Sequence, residues 1–299
     1  MPEILKLGIP KGSLQEATLS LFARAGFSFY GSERTLWLSS NDPDISPVML
    51  RPQEIPMYVA DGSLDCGLSG LDWIKERNCE GAIRVLADLC YSKRSFRPVR
   101  WVLAVANEAP WQTVRDLKTA SAAKPLRVST ELKAITEAWL AEKAIQAEVD
   151  FSWGATEAKV PVFADAIVEC TETGSSLREN GLRILDTVLE STTRFFANRD
   201  VCINNEWKRT KLDAISILLR SCLAADKRVS VRVECPRDAT KALQALIPSD
   251  AAYSVLEGNN GCALLEIIID KERSRELLPL MARNGASRIS VASLSLLYE

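Results

Sequence analysis

Apolar positions along the chain recur in two rhythms. Short apolar runs at residues 4–9 (ILKLGI), 64–68 (LDCGL), 101–105 (WVLAV), 126–130 (LRVST) and 193–198 (TRFFAN) read as strands, and shorter β-like runs fall at 35–38 and 48–50. Helical spacing marks 14–25, where apolar residues stand at 14, 17, 21, 22 and 25, and also 52–61, 73–77, 132–145 and 207–225. A further apolar run at 161–168 (PVFADAIV) reads as a buried strand, and apolar residues at 182, 184, 185, 188 and 189 predict a helix over 182–189. Beyond residue 227 the order is strand 228–235, helix 237–246, strands 253–256 and 262–269, helix 271–284 and strand 288–291. That βαββαβ order fits a ferredoxin-like module.

Strands alternating with helices before that point predict an open α/β architecture, with ligands at the carboxyl ends of the strands. With 193–198 returned to the first sheet, the chain crosses between two lobes near residues 100 and 185. Lobe I is then 1–100 and 185–205, lobe II is 101–184, and the third domain is 206–299. Two lobes joined by two crossovers make a cleft that can close on a ligand. The 299 residues suffice for these domains.

Several strand ends open into Ser, Thr and Gly before a helix start. The richest is 169–182 (ECTETGSSLRENGL), where Thr171, Thr173, Gly174, Ser175 and Ser176 fill five of six positions. Gly174 permits positive φ or a close ligand approach, and hydroxyls with free amides at a helix start suit phosphate. The same residues also serve as a plain helix cap, and spacing alone does not separate the two. Asp165 and Glu169, just before the loop, could hold a sugar diol or a metal ion. Lys11, Gly12 and Ser13 form a second strand-to-helix turn, readable as an anion site or as ordinary turn chemistry. Asp72, after Ser69-Gly-Leu, caps its helix or meets a ligand. The basic run 93–100 (KRSFRPVR) is either a solvated connector or an attractor of polyphosphate.

Composition narrows the chemistry. A formal net charge of −2 argues against a dedicated nucleic-acid binder, and 47% hydrophobic with 25% charged residues is ordinary for a globular protein. Residues 1–6 (MPEILK) show no basic-then-apolar leader and no stretch approaches a membrane span, so a cytoplasmic location is expected. The eight cysteines form no C-x-x-C pair and read as reduced, mostly buried residues, with Cys170 as a candidate exposed thiol. There is no histidine. Ser-His-Asp and Cys-His schemes are therefore excluded, and an acid or base must be Asp, Glu, Lys, Tyr or Cys.

Four stretches together carry a family resemblance: 7–14 (LGIPKGSL), 59–72 (VADGSLDCGLSGLD), 127–131 (RVSTE) and above all 164–177 (ADAIVECTETGSSL) with 180–182 (NGL). The chain resembles the long form of ATP phosphoribosyltransferase, which opens histidine biosynthesis, over essentially its whole length. The resemblance implies a two-lobed fold like that of type II periplasmic binding proteins, with the ferredoxin-like tail as regulatory domain. It implies transfer of phosphoribosyl from phosphoribosyl pyrophosphate to adenine N1 of ATP, with Mg²⁺. Inhibition by histidine and assembly into homodimers and homohexamers would follow, without membrane or nucleic-acid partners. By motif, Thr171, Thr173, Gly174, Ser175 and Ser176 match the loop around the 5′-phosphate, and Asp165 and Glu169 match acids near the ribose and the metal. Lys11, Gly12, Ser13 and Asp72 fall on the nucleotide and pyrophosphate side. Leu132-Lys133 and the turn 248–253 depart from the family pattern, so no effector residue is carried over. The rival readings are a prephenate dehydratase, for which Thr193-Arg-Phe195 is the one matching tripeptide, a non-catalytic two-lobed sensor, and a catalytically silent paralogue.

Overall fold

The computed structural model describes residues 3–32, 34–91, 98–258 and 261–298. The chain divides into two compact units, the first running to Asp213 without residues 24–26 and the second holding 214–299.

Within the first unit, β1 (Leu5–Pro10), α1 (Gln15–Arg24), the short β2 (Phe29–Tyr30) and β3 (Ser39–Ser40), β4 (Ile45–Leu50), α2 (Ile55–Ala60), β5 (Cys66–Gly70), α3 (Leu71–Glu76) and β6 (Ile83–Leu89) build the first lobe. The second lobe follows with β7 (Val99–Ala106), α4 (Val114–Ser121), β8 (Leu126–Thr130), α5 (Lys133–Glu142), β9 (Ala147–Phe151), a 3-10 turn (Thr156–Lys159), β10 (Ala166–Thr171), α6 (Ser175–Glu179) and β11 (Leu182–Ser191). Then β12 (Thr193–Asn198) returns to the first sheet, followed by α7 (Arg199–Asn204).

The two sheets repeat one plan. The first is ordered β4-β1-β5-β12-β6 and the second, read from its other edge, β9-β8-β10-β7-β11. In each, three strands run parallel and the fourth is antiparallel to both neighbours. In each, that antiparallel strand is the first one laid down after the chain crosses over. This is the type II periplasmic-binding topology. Central strands read as continuous apolar runs because both faces are covered: Trp101 to Val105 in β7 are all buried.

The segment 182–189 is a strand, not the helix its apolar spacing predicts. Pairing with β7 shifts register between Ile184 and Asp186 and again between Thr187 and Leu189. Each β-bulge inserts a residue and flips the alternation, so apolar positions at 182, 184, 185, 188 and 189 imitate a helical period. The helix after the Ser/Thr loop is α6 instead, starting at Ser175. Because β11 stays in the second sheet to Ser191, the return crossing falls at Thr192, not near 185. The strand expected at 161–168 begins only at Ala166 and runs on to Thr171.

In the second unit, β13 (Arg228–Pro236), α9 (Thr240–Gln244), β14 (Ala252–Glu257), β15 (Cys262–Asp270), α10 (Lys271–Arg283) and β16 (Arg288–Ser293) form an antiparallel sheet of order β14-β15-β13-β16. That is the ferredoxin-like arrangement. Alternating burial along β13 and β15 puts Val229, Val231, Val233, Leu265, Ile267 and Ile269 into one core with Leu243, Leu277 and Met281. Between β12's unit and this sheet runs α8 (Glu206–Lys227), which contains the division at 213/214. Among the described residues no helix is long and apolar enough to cross a membrane.

Candidate active site

Both sheets of the first unit present strand carboxyl ends to one cleft of about 360 Å³. Ser13 and Leu14 reach it from beyond β1, and Gly70 and Asp72 from the junction of β5 and α3. From the second lobe come Glu131 after β8 and the run Glu169 to Glu172 at the end of β10. Ser191, Thr192 and Thr193 line it at the return crossing. Four carboxylates thus face one cavity, and no Lys or Arg among the described residues lines it.

Glu169 is a strand residue, half-buried in β10. Burial pushes its carboxyl above the usual range, and the charges of Glu157 and Glu131 act in the same sense. The Thr156 hydroxyl and the Cys170 backbone N–H oppose them, the latter donating to Glu169 Oε1 at 2.9 Å. Cys170 is exposed, as its place in the sequence suggested, but lines the cleft among Asp72, Glu169, Glu172 and Glu131, where desolvation by the cleft walls first, then these carboxylates, push its thiol up. A thiol held protonated is a poor nucleophile.

Asp165 does not join the site. It precedes β10 at the amino end of the strand, where its carboxylate takes the Arg127 guanidinium at 2.8 Å and the Arg127 backbone N–H at 2.8 Å. Its own N–H donates to the Arg127 carbonyl. Arg127 holds this carboxyl below the usual range. With a rise of roughly 3.3 Å per residue, the strand between carries Asp165 to the far edge of the sheet from Thr171. The reading of Asp165 as a catalytic acid is corrected accordingly: it clamps β8 to β10.

The Ser/Thr loop is folded on itself. Gly174 has φ +74° and donates its N–H to Thr171 Oγ1 at 2.8 Å. Thr173 and Ser175 share a hydroxyl contact at 3.0 Å, and Ser176 Oγ donates to Glu157 at 2.7 Å. Thr171 lines the cleft, while Thr173, Gly174, Ser175 and Ser176 continue the turn into α6. On the facing lobe, Gly12 has φ +99° at the turn after β1, Lys11 donates its N–H to the Leu50 carbonyl, and Ser13 lines the cleft.

Asp72 is a buried hub rather than a helix cap, the cap position being Gly70. Burial raises its carboxyl pKa more than its hydrogen bonds lower it. Most of the basic connector, residues 93–97, lies outside the described residues; its last member, Arg100, is in β7 opposite Thr171. Of the Thr193-Arg-Phe195 tripeptide, Arg194 pairs with Asp88 at 2.6 Å and Phe195 is fully buried, so both serve the sheet. Residue-by-residue reading missed Glu131, Gln53 and Ser191 as cleft residues. Gln53 Oε1 is buried without a hydrogen-bond partner among the described residues, an acceptor left over for a ligand. Only Glu131 carried a signal, as the acid directly after a strand ending in Ser-Thr.

Fold and site define a two-lobed α/β protein of the periplasmic-binding type, its cleft lined with acids and hydroxyls and its carboxyl end extended by a ferredoxin-like module. Comparison with known proteins specifies the class. The family model for ATP phosphoribosyltransferase matches residues 51–221. The enzyme of that name from Thermodesulfovibrio yellowstonii is 45% identical over 287 residues, spanning 95% of either chain. Its counterpart from Chlorobaculum parvum is 43% identical over 96% of this chain and 95% of its own. A structure of the ATP phosphoribosyl transferase (HisG:HisZ) complex from Thermotoga maritima superposes with a TM-score of 0.60 at 24% identity, covering 73% of this chain and 99% of that one. The chain belongs to the ATP phosphoribosyltransferase family.

Proposed function

We propose that the protein joins adenine N1 of ATP to ribose C1 of phosphoribosyl pyrophosphate and releases pyrophosphate, the opening reaction of histidine biosynthesis. The observation that carries this reading is the convergence of Thr171 and Glu169 with the first-lobe turns at one cleft, in a chain of this family.

Adenine N1 already has a free lone pair, so attack needs no general base, in keeping with a chain that has no histidine. Catalysis then rests on positioning and on charge stabilisation. Thr171 and the turn through Ser176 receive the 5′-phosphate, with Ser176 exchanging Glu157 for a phosphate oxygen. Glu169 accepts from the ribose hydroxyls and faces the positive charge that develops at C1 as the pyrophosphate bond breaks. Gln53 Oε1 suits a nucleobase amino group. The Lys11–Ser13 turn and Asp72 border the nucleotide and pyrophosphate side.

A divalent cation fits this cleft as a companion of the substrate. Among the described residues no group of three or more acidic, cysteine or histidine side chains is placed to cage a metal. Mg²⁺ is usually held by substrate phosphates, water and one or two carboxylates, and would neutralise the leaving group here. Of the two acids that precede the turn, Glu169 is the one that lines the cleft and could make that contact, Asp165 being engaged by Arg127.

The same proposal places histidine inhibition in the ferredoxin-like module and includes assembly into homodimers and homohexamers, supported by relatives that align over about 95% of the chain, tail included. ATP and phosphoribosyl pyrophosphate are intracellular metabolites, so the cytoplasm is the compartment this reading requires.

Turnover with ATP, phosphoribosyl pyrophosphate and Mg²⁺ tests the reaction. Pyrophosphate release together with the spectrum of an N1-substituted adenine is expected, and no turnover at high enzyme concentration would refute it. Histidine added to the active enzyme should lower the rate; an unchanged rate would leave the tail an assembly module.

A further inference from the structure

A second cavity, of about 170 Å³, lies within the second lobe and shares no lining residue with the catalytic cleft. One wall is a face of the sheet: Arg127 and Ser129 stand two apart on β8, and Asp150 pairs with Ser129 across β9. The segment leading into β10 supplies Lys159, Phe163 and Ala164, and Phe151 completes the lining with Val128.

The donors on these walls are only partly used. Lys159, the last residue of the 3-10 turn, gives its ammonium to Ser152 Oγ at 2.7 Å and to Ser129 Oγ at 3.1 Å. Both acceptors are neutral hydroxyls, and among the described residues no carboxylate pairs with this charge. An ammonium has three N–H donors, so one is left over. Ser129 is buried and accepts from Lys159, and its own hydroxyl proton has no acceptor among the described residues. Arg127 spends Nε and one N–H of Nη2 on Asp165, and one N–H of Nη1 on the Val162 carbonyl. The second N–H of each Nη remains. Asp150 is the one carboxylate on the wall, and it is exposed, where water screens it.

We propose that this cavity binds a phosphate group between Lys159, Ser129 and Arg127, either as inorganic phosphate or as the head of a phosphate monoester. Asp165 already matches the charge of Arg127, so Lys159 supplies the unmatched cation. Ammonium, guanidinium and hydroxyl donors converging from three side chains need an anion with several acceptor oxygens, and charge-assisted bonds of this kind are the strong ones. The volume equals about five or six waters at roughly 30 Å³ each, room for one phosphate. It falls below the roughly 300 Å³ where pockets for larger organic ligands begin, so only the phosphate head of a monoester would enter, its organic part lying toward exposed Phe151 and Phe163.

Equilibrium dialysis of labelled inorganic phosphate against the full chain tests the site. Saturable binding in the millimolar range is expected, weakened at least tenfold in Lys159→Met and about threefold in Ser129→Ala. Asp150→Asn should tighten it about threefold, and Lys143→Met should leave it unchanged. Ser129→Ala and Asp150→Asn carry the test if Lys159→Met does not fold. The catalytic turn is itself a phosphate site in the reading above, so two controls keep the sites apart. Gly174→Val should retain the Lys159-dependent binding, and Lys159→Met should bind phosphoribosyl pyrophosphate within about twofold of the parent. Methyl phosphate separates the sources: tighter binding than inorganic phosphate assigns the cavity to a monoester, weaker binding to the free ion. Phosphate binding that is absent, or equal in the parent and all three cavity variants, would overturn the proposal. So would a parallel loss of phosphoribosyl pyrophosphate affinity in Lys159→Met. A Lys159-dependent phosphate site in a chain that binds no phosphoribosyl pyrophosphate would sustain the cavity and sink only the transferase reading.

Discussion

Trp101 donates its indole N–H to Asp72 Oδ2 at 2.6 Å, joining the helix after β5 to the first strand of the second lobe. The Asp72 backbone N–H donates to Ser191 Oγ at 3.2 Å, at the last residue before the chain crosses back. Trp73 stacks edge-on against Trp101 at 6.0 Å. Strand β7 and the last residue of β11 thus meet at one buried residue, Asp72, the first at its carboxyl and the second at its backbone N–H. Gly70 completes the joint: a Cβ there would overlap the Asp72 carboxylate.

Removing this contact should loosen the lobes. Trp101→Phe leaves Asp72 Oδ2 without its indole donor, while Oδ1 keeps the Trp73 backbone N–H, and should cost about 1–3 kcal/mol of stability, read from denaturant melts. The pH dependence has a definite sign. Burial holds the Asp72 carboxyl above its unfolded value of ~3.9, so its protonated form favours folding, and that stability is lost as pH rises through the folded pKa. The melting temperature of Asp72→Asn relative to the parent should therefore rise between pH 4 and pH 7. A constant difference would mean that Asp72 does not titrate with folding.

Asp165 should behave as a structural residue. Asp165→Ala strands the Arg127 backbone N–H and should lower stability by about 1–2 kcal/mol, while affinity for phosphoribosyl pyrophosphate stays within about twofold. Its carboxyl is held low, so its contribution is present above the unfolded pKa and fades as pH falls through the folded one. A large loss of affinity with unchanged stability would return Asp165 to the site.

Gly174→Val should abolish binding of phosphoribosyl pyrophosphate and also strain the chain. A φ of +74° disfavours a β-branched residue by about 1–3 kcal/mol, and a Cβ would already crowd Arg178 Nη1 at 3.1 Å. Calorimetry alongside a thermal melt checks both effects. Unchanged affinity would remove the turn from the phosphate site.

Cys170→Ala should keep most of the activity, within a factor of about three. Its thiol is held protonated by desolvation and by the surrounding carboxylates. Alkylation by iodoacetamide at pH 8 should accordingly be slower than for a small-molecule thiol, followed by mass spectrometry. Rapid modification with parallel loss of turnover would contradict this.

Local signals made much of the molecule legible in advance. The βαββαβ tail reads correctly because its central strands, β13 and β15, alternate with one face to the core. The Ser/Thr-rich turn stands out as five small residues in six positions, but only the family motif around it separates an anion site from a plain helix cap. Misreadings arose where one residue shifts the period. Two bulges disguised β11 as a helix, and a late start to β10 moved Asp165 out of the strand and placed Glu169 and Cys170 inside it.

From sequence alone came the α/β alternation, the family and the turns that end β1, β5, β8 and β10, since each depends on neighbours a few positions apart. Tertiary structure decided which acids share the cleft. Asp165 and Glu169 stand four residues apart, yet one is clamped by Arg127 at the amino end of β10 and the other opens into the cavity near its carboxyl end. Asp72, Trp101 and Ser191 became one joint only because the chain crosses twice between two sheets. Contacts of that kind join residues tens of positions apart, and no local period records them.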